Sequence, residues 1–344
     1  MTPAAPVLAG GALLVCAYLT GVVRRVAIGR GLLDVPNVRS SHAVATPRGG
    51  GLAIVVTVTA SLALLGLTGQ ITPHLLWALL GGGGVVAAIG LADDQRSVPA
   101  TARLAVHLGA SLWALYCLGG LPSLTLGSTT LQLGWVGNLL AALAITWTLN
   151  LFNFMDGIDG IAASEAVFIT WGALPCMALL GVAADVSAVS LIVGAAASGF
   201  LLWNWPPAKI FLGDVGSGYL GFVVAVLALA ASHTHPSALW IWVILGSAFL
   251  VDSTVTLLRR VLRGERAHQA HRSHAYQWLA RRWGHRRVTV GILLVDLLWL
   301  FPGALVASWR PAQAPLTLTV ALPPLIALAV WAGAGRREEL GPQT

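Results

Sequence analysis

The stretch Asn150–Gly160, "NLFNFMDGIDG", places two amides and two carboxylates within ten residues, at the end of an apolar run long enough to cross a bilayer. Buried carboxylates are costly in lipid, so such a group marks a candidate functional site. Asn150, Asn153 and Asp156 recur every third residue, and Asp159 extends the series. Positions i and i+3 share one face of a helix, and Gly157 and Gly160 let the chain open into a loop there. Oxygen ligands of this kind suit Mg²⁺ or Mn²⁺ rather than zinc. A helix cap would need one such residue, not four.

Four further polar clusters stand out. "DVPNVRSSHAVATPRGGG" supplies Asn37, Arg39, His42 and Arg48, with glycines that let backbone approach a ligand; its plainer reading is a basic loop that fixes topology. Asp93 and Asp94 are adjacent carboxylates that together call for a cation or a shared proton. "WNWPPAKIFLGDVGSG" carries Asn204, Lys209, the chain's only lysine, Phe211, and Asp214 just before an apolar run. An acid there can cap the helix, and the same helix N-terminus can face a phosphate. "RAHQAHRSHAYQW" spaces His268, His271 and His274 three apart beside Arg272. No cysteine or acid pair completes a zinc set, so anion binding fits these residues better. Acids that hold a divalent cation and bases that hold phosphates are together the equipment of phosphoryl transfer.

The elements that must position these clusters are membrane spans. The chain has 344 residues, 57% hydrophobic and 10% charged, whereas soluble chains carry about 25% charged residues. Cys16, Cys117 and Cys176 each lie in an apolar run and suggest neither disulfides nor zinc. Eleven apolar segments of spanning length are expected: 4–23, 49–68, 73–92, 102–120, 135–153, 161–183, 187–204, 216–232, 237–258, 288–308 and 316–334. The first reads as a retained span rather than a signal peptide. Alternating them across a membrane puts 19 of the 20 Lys and Arg residues in or beside one set of loops, and only Arg310 in the other. By the positive-inside rule that set, with all five clusters and the C-terminus, is cytoplasmic. The basic residues are thus topogenic, and nucleic acid is not an expected partner. Loop 121–134 alternates polar and apolar residues around Gly127 and reads as a small hairpin. "GGGG" at 81–84 reads as close helix packing, since no P-loop Lys and Ser/Thr follow it. The expected fold is a single all-α polytopic membrane domain over 1–344 with cytoplasmic active-site loops.

The pieces "DVPNVRSSH…TPRGGG", "GLADD", "NLFNFMDGIDG", "WNWPPAKIFLGDVGSG" and "HRSHAYQ", in this order over 34–277, resemble the polyprenyl-phosphate N-acetylhexosamine-1-phosphate transferases. The likeness is to the branch that initiates O-antigen. The related phospho-MurNAc-pentapeptide translocases typically carry a three-His run and "TPTMGG" where this chain has "HRSH" and "TPRGGG". The resemblance implies that undecaprenyl phosphate attacks the β-phosphate of a UDP-N-acetylhexosamine, releasing UMP, at a bacterial cytoplasmic membrane. It implies Asp214 as a Mg²⁺ ligand with Asn153 as a second, Asp93 and Asp94 as the essential acidic pair, and Asp159 and Phe211 as the uracil pocket. His271, Arg272 and His274 would face the diphosphate or sugar. Asp156 joins the catalytic acids, and His42, Arg48, Asn150, Asn204 and Lys209 the substrate-binding set; a homodimer is an expected assembly. The main alternative is a transporter or proton channel, which would place its ionisable groups near mid-bilayer. Asp252, late in its span, and Asp296, inside one, depart from the gathering of ionisable groups at span ends, and both read as structural polar contacts.

Overall fold

The structure, a computed structural model, describes residues 4–35, 44–265 and 272–337. Among the described residues the architecture is helical, with two short hairpin-like sheets. The helices in chain order are α1 (Ala5–Gly29), α2 (Gly51–Leu67), α3 (Pro73–Gln95), α4 (Ala100–Leu118), α5 (Gly134–Met155), α6 (Ile161–Leu180) and α7 (Ala184–Asn204). Then come α8 (Asp214–Thr234), α9 (Ala238–Leu245), α10 (Ser247–Val261), α11 (Ala275–Trp283), α12 (His285–Trp309) and α13 (Pro311–Ala332). Strand β1 (Leu33–Asp34) pairs antiparallel with β2 (Thr46–Pro47). Strand β3 (Leu124–Leu126) pairs with β4 (Thr129–Leu131) about Gly127, the hairpin expected from the alternation there.

Each of the eleven expected segments falls on helix, but eleven transmembrane helices are not reached. Among the described residues, eight helices are long and apolar enough to cross a membrane, or nine if α9 and α10 form one broken span. The shortfall has local causes. Helix α2 has 17 residues, and α4, which carries Arg103 and His107, is not among the sufficiently apolar helices. The expected span 237–258 is not straight: it bends by 69° where α9 gives way to α10, at Gly246. The bend lets Asp252 of α10 accept the N–H groups of Ala275 (2.9 Å) and Tyr276 (3.0 Å) and so cap α11.

Helix α8 is the hub, with 94% of its apolar window buried against 22% for α1, α12 and α13. Neighbouring backbones reach it through glycines. A Cβ on Gly51 of α2 would lie 2.3 Å from the Gly216 Cα of α8; one on Gly90 of α3, 2.6 Å from the Asp214 carbonyl oxygen; and one on Gly221, 2.7 Å from the Thr148 carbonyl oxygen of α5. Small residues at such crossings admit the close approach on which helix association in lipid depends. The 81–84 run behaves as expected. Gly81, Gly82 and Gly83 lie against Trp113, Phe222 and Tyr219, and a Cβ on Gly84 would meet nothing within 4 Å.

Asp296 of α12 sits at a π-helical turn (Asp296–Leu300) and is wholly buried. It faces Glu165 on α6, a residue outside the five sequence clusters. Among the described residues, no carboxyl oxygen of either acid makes a hydrogen bond.

Candidate active site

The helix ends that meet at one end of the bundle are the C-termini of α3 and α5 and the N-termini of α2, α4 and α8. Asp93 and Asp94 occupy the last turn of α3, one turn beyond Gly90, whose lack of a side chain lets α3 touch the start of α8. Asp94 turns its carboxylate onto that start: Oδ1 accepts the Asp214 N–H (3.0 Å) and Oδ2 the Val215 N–H (3.1 Å). The acid thus satisfies donors that a helix N-terminus leaves open, and its charge opposes the positive end of the helix dipole. Gly213, at φ +77°, brings the chain into this turn, and a Cβ there would lie 2.6 Å from Asp94 Oδ2. The N-terminus of α8, read from sequence as a phosphate seat, therefore already holds the carboxylate of Asp94.

Asp93 points the other way. It accepts the Val98 N–H at 2.7 Å and a hydrogen bond from Arg103 of α4. The same Arg103 Nη1 lies 3.1 Å from Asp214 Oδ2, so one guanidinium joins the two acids. On its other oxygen Asp214 accepts from the Asn153 amide (2.9 Å), which also reaches Ser217 Oγ (3.2 Å). Arg103 entered the sequence reading only as a topogenic charge, because a basic residue at the start of a span looks the same in either role.

Asp156 follows directly after α5, so the three-residue series leaves the helix before it is complete. Burial, reinforced by the negative charges of Asp214, Asp94 and Asp159, holds the Asp156 carboxyl well above the usual carboxylate range. Asn150 is not brought to the acids: its amide donates to the Thr146 carbonyl of its own helix at 2.7 Å. A polar cleft of about 520 Å³ opens beside the cluster, lined by Asp93, Asp94, Asp214, Arg48, Asp34 and Arg96 among others.

The remaining expected site residues mostly act on the protein itself. Arg48 donates to the Asp94 carbonyl from Nε (3.1 Å) and Nη2 (2.8 Å), and to the Asp93 carbonyl (3.3 Å), so it caps the end of α3. Asn204 is buried; it donates to the Ile210 carbonyl and accepts the Gly160 N–H, both at 2.9 Å. It thereby ties loop 156–160 to loop 205–213. Phe211 holds strand β2 and the start of α2 through its main chain, donating to Pro47 and accepting from Gly50. Lys209 is exposed, with its ammonium 5.7 Å from the Trp203 ring centre. His274 is buried, 3.3 Å from Asp252 Oδ1, stacked on Tyr276, and with its ring centre 6.2 Å from that of Phe154, the residue after Asn153. Arg272 accepts from Arg281 through its carbonyl. His42 and His271 lie outside the described residues, as do Asn37, Arg39 and His268.

Asp159 proves to be a junction. Its Oδ2 accepts the Ala208 N–H (3.0 Å), its Oδ1 lies 3.2 Å from His285 Nδ1, and its carbonyl accepts from Thr289 Oγ1 (3.0 Å). His285 lies outside all five motifs, and nothing in its spacing marks it. Among the described residues no three His, Cys, Asp or Glu side chains are arranged as a metal cage. The donors at hand are the oxygens of Asp214, Asp93 and Asn153. Such hard oxygen ligands fit Mg²⁺, which keeps waters and substrate oxygens in its shell and needs no all-protein cage.

Fold and site define a polytopic helical membrane protein with an acid–amide cluster, bridged by an arginine, at one end of its bundle. The chain belongs to Glycosyl transferase family 4, whose profile matches residues 76–232, from α3 through α8. It is 30% identical over 295 residues to the probable undecaprenyl-phosphate N-acetylglucosaminyl 1-phosphate transferase of Bacillus subtilis (strain 168), covering 83% of this chain and 80% of that protein. It is also similar to a decaprenyl-phosphate N-acetylglucosaminephosphotransferase of Mycolicibacterium smegmatis, at 28% identity over 90% of this chain and 84% of that one. A third relative is the phospho-N-acetylmuramoyl-pentapeptide-transferase of Shouchella clausii, at 28% identity over 77% and 84%.

Proposed function

We propose that the chain transfers N-acetylhexosamine-1-phosphate from a UDP-sugar to undecaprenyl phosphate, releasing UMP, as the first membrane step of a cell-envelope polysaccharide. The observation that carries this reading is the joining of Asp93 to Asp214 through Arg103, with Asn153 on the other Asp214 oxygen, at the bundle end where Asp94 and Asp156 also lie. An oxygen of the lipid phosphate attacks the β-phosphorus of the donor; the bond from that phosphorus to the bridging oxygen breaks, and UMP leaves with that oxygen. Lipid phosphate is mostly ionised at neutral pH, so the site's task is to offset repulsion between anions. Asp214 and Asn153 would hold Mg²⁺, which when bound supplies positive charge to the diphosphate. Arg103 adds a fixed cation between Asp93 and Asp214, and Asp159 with Phe211 takes the uridine side. The names of the Bacillus and Mycolicibacterium relatives make UDP-N-acetylglucosamine the first donor to test.

An apolar groove supports the lipid half of the reading. About 350 Å³ in volume, it runs between α5, α8 and α9, from Leu151 and Leu250 near the acid end to Leu121 and Leu124 at the hairpin end. Leu151 is two residues from Asn153, so a prenyl tail in the groove would bring its phosphate to the cluster. In this reading α2 and α4 cross the membrane too, giving eleven crossings, and the acid end faces the cytoplasm, where nucleotide sugars are made.

The test is UMP release by purified protein in detergent with undecaprenyl phosphate and Mg²⁺, over a panel of UDP-N-acetylhexosamines, with Asp214→Asn beside wild type. Lipid- and metal-dependent UMP from one sugar, lost in the variant, is the expected result. Silence from folded wild type with every donor would refute the reading.

A further inference from the structure

The acid assigned above to the uridine side is not a free-standing side chain. Asp159 spends one carboxylate oxygen on the Ala208 N–H at 3.0 Å and sets the other 3.2 Å from His285 Nδ1, the same nitrogen that accepts the Asp159 backbone N–H at 3.4 Å. Its carbonyl is taken by Thr289 Oγ1 at 3.0 Å. His285 and Thr289 are four apart at the start of α12 and so lie on one face of it. Gly284, at φ +78°, sets that helix start. Both partners in the His–Asp pair are largely but not fully covered, with side chains 18% and 12% exposed. Three segments remote in sequence therefore converge on one residue: loop 156–160, loop 205–213 and the start of α12. Asp156, among the proposed catalytic acids, lies three residues before this junction and on the same loop.

We propose that His285, supported by Thr289, is a positioning residue for donor binding: from α12 it fixes the carboxylate and backbone of Asp159, and with them the loop that receives the uridine end of the donor. The inference rests on the reading of Asp159 as the uridine-side acid. A carboxylate whose rotamer is set by two outside partners needs no reorganisation when the nucleotide arrives, so losing one partner weakens donor and transition state alike. Uniform binding of that kind appears in KM and not in kcat.

The experiment uses full-length protein in detergent, with His285→Ala, His285→Asn and Thr289→Val beside wild type. Readouts are KM for the UDP-sugar, KM for undecaprenyl phosphate, kcat, UMP affinity and thermal stability. His285→Ala is expected to raise the donor KM and weaken UMP binding by about tenfold, the loss typical of one hydrogen bond to a charged group. Its kcat should stay within about twofold and the lipid KM should not move. His285→Asn, whose side-chain amide can accept the Asp159 N–H and donate to its carboxylate from nearly the same place, should recover most of the loss, and Thr289→Val should move the donor KM in the same direction by less. An unchanged donor KM and UMP affinity in His285→Ala would overturn the inference. So would a fall in kcat and stability with donor KM unmoved and no recovery in His285→Asn, since that is a plain structural brace. Wild type that neither turns over nor binds UMP would remove the parent reading and this inference together. Active wild type with an indifferent variant sinks this inference alone.

Discussion

Asp156 is a residue whose charge is costly to the fold, in a place where the proposed reaction would use it. It is half-buried, and burial, reinforced by the negative charges of Asp214, Asp94 and Asp159, holds its carboxyl well above the usual range. Above the ordinary carboxylate pKa an unfolded chain releases this proton while the folded one keeps it. The native state then binds more protons, and its stability falls as pH rises toward the elevated value. Replacement by the neutral, near-isosteric amide removes that dependence. Asp156→Asn is therefore expected to lose activity by about 10²-fold or more, as for an acid–base group. Its melting temperature should fall less than that of wild type between about pH 5 and about pH 8. Thermal melts in detergent at the two pH values, with UMP release as the activity readout, check both halves. The acids themselves were legible in the sequence because carboxylates and amides at span ends have few other uses. Their partners were not. Arg48 works on main-chain carbonyls and Arg103 bridges two side chains, yet each reads in sequence as another cytoplasmic arginine.

At the scale of elements, each expected apolar segment falls on helix, but apolar length missed the short polar helix α11 and could not show how the segments meet. The 69° break at Gly246 leaves composition almost untouched, so 237–258 reads as one span. The pull of Asp252 on the start of α11 is a tertiary contact with no local signature. The crossing of α3 with α8 is set by Gly90, where an added Cβ would stand 2.6 Å from a backbone oxygen that cannot swing aside. Gly90→Ala is expected to lower the melting temperature sharply and abolish activity. Gly84→Ala, in the same helix, faces nothing within 4 Å and should be neutral or slightly stabilising through helix propensity. Melting curves of the two variants side by side measure this, and equal behaviour would refute the crossing argument.

For the molecule as a whole, composition and charge asymmetry pointed to a membrane protein with a polar end, while the course of the apolar groove stayed hidden because apolar residues lining a groove and facing lipid look alike. The groove between α5, α8 and α9 supplies a test at this scale. Ala144→Phe places a ring within it and is expected to raise KM for undecaprenyl phosphate while leaving KM for the UDP-sugar unchanged. A short-chain prenyl phosphate, too short to reach the filled part, should be used as well by the variant as by wild type. Equal impairment with long and short acceptors would place the tail elsewhere.

The glycine crossings also bear on how such a protein can diverge. Where α2, α3 and α5 meet α8, backbone lies against backbone at Gly51 and Gly216, at Gly90 and at Gly221. With no side chain at these points, there is none to trim or enlarge, and the distances among Asp94, Asn153 and Asp214 cannot be retuned by gradual substitution in the helices. Drift in donor preference is thereby channelled into the loops that flank the bundle end, so a library aimed at a new sugar belongs there and not in the spans.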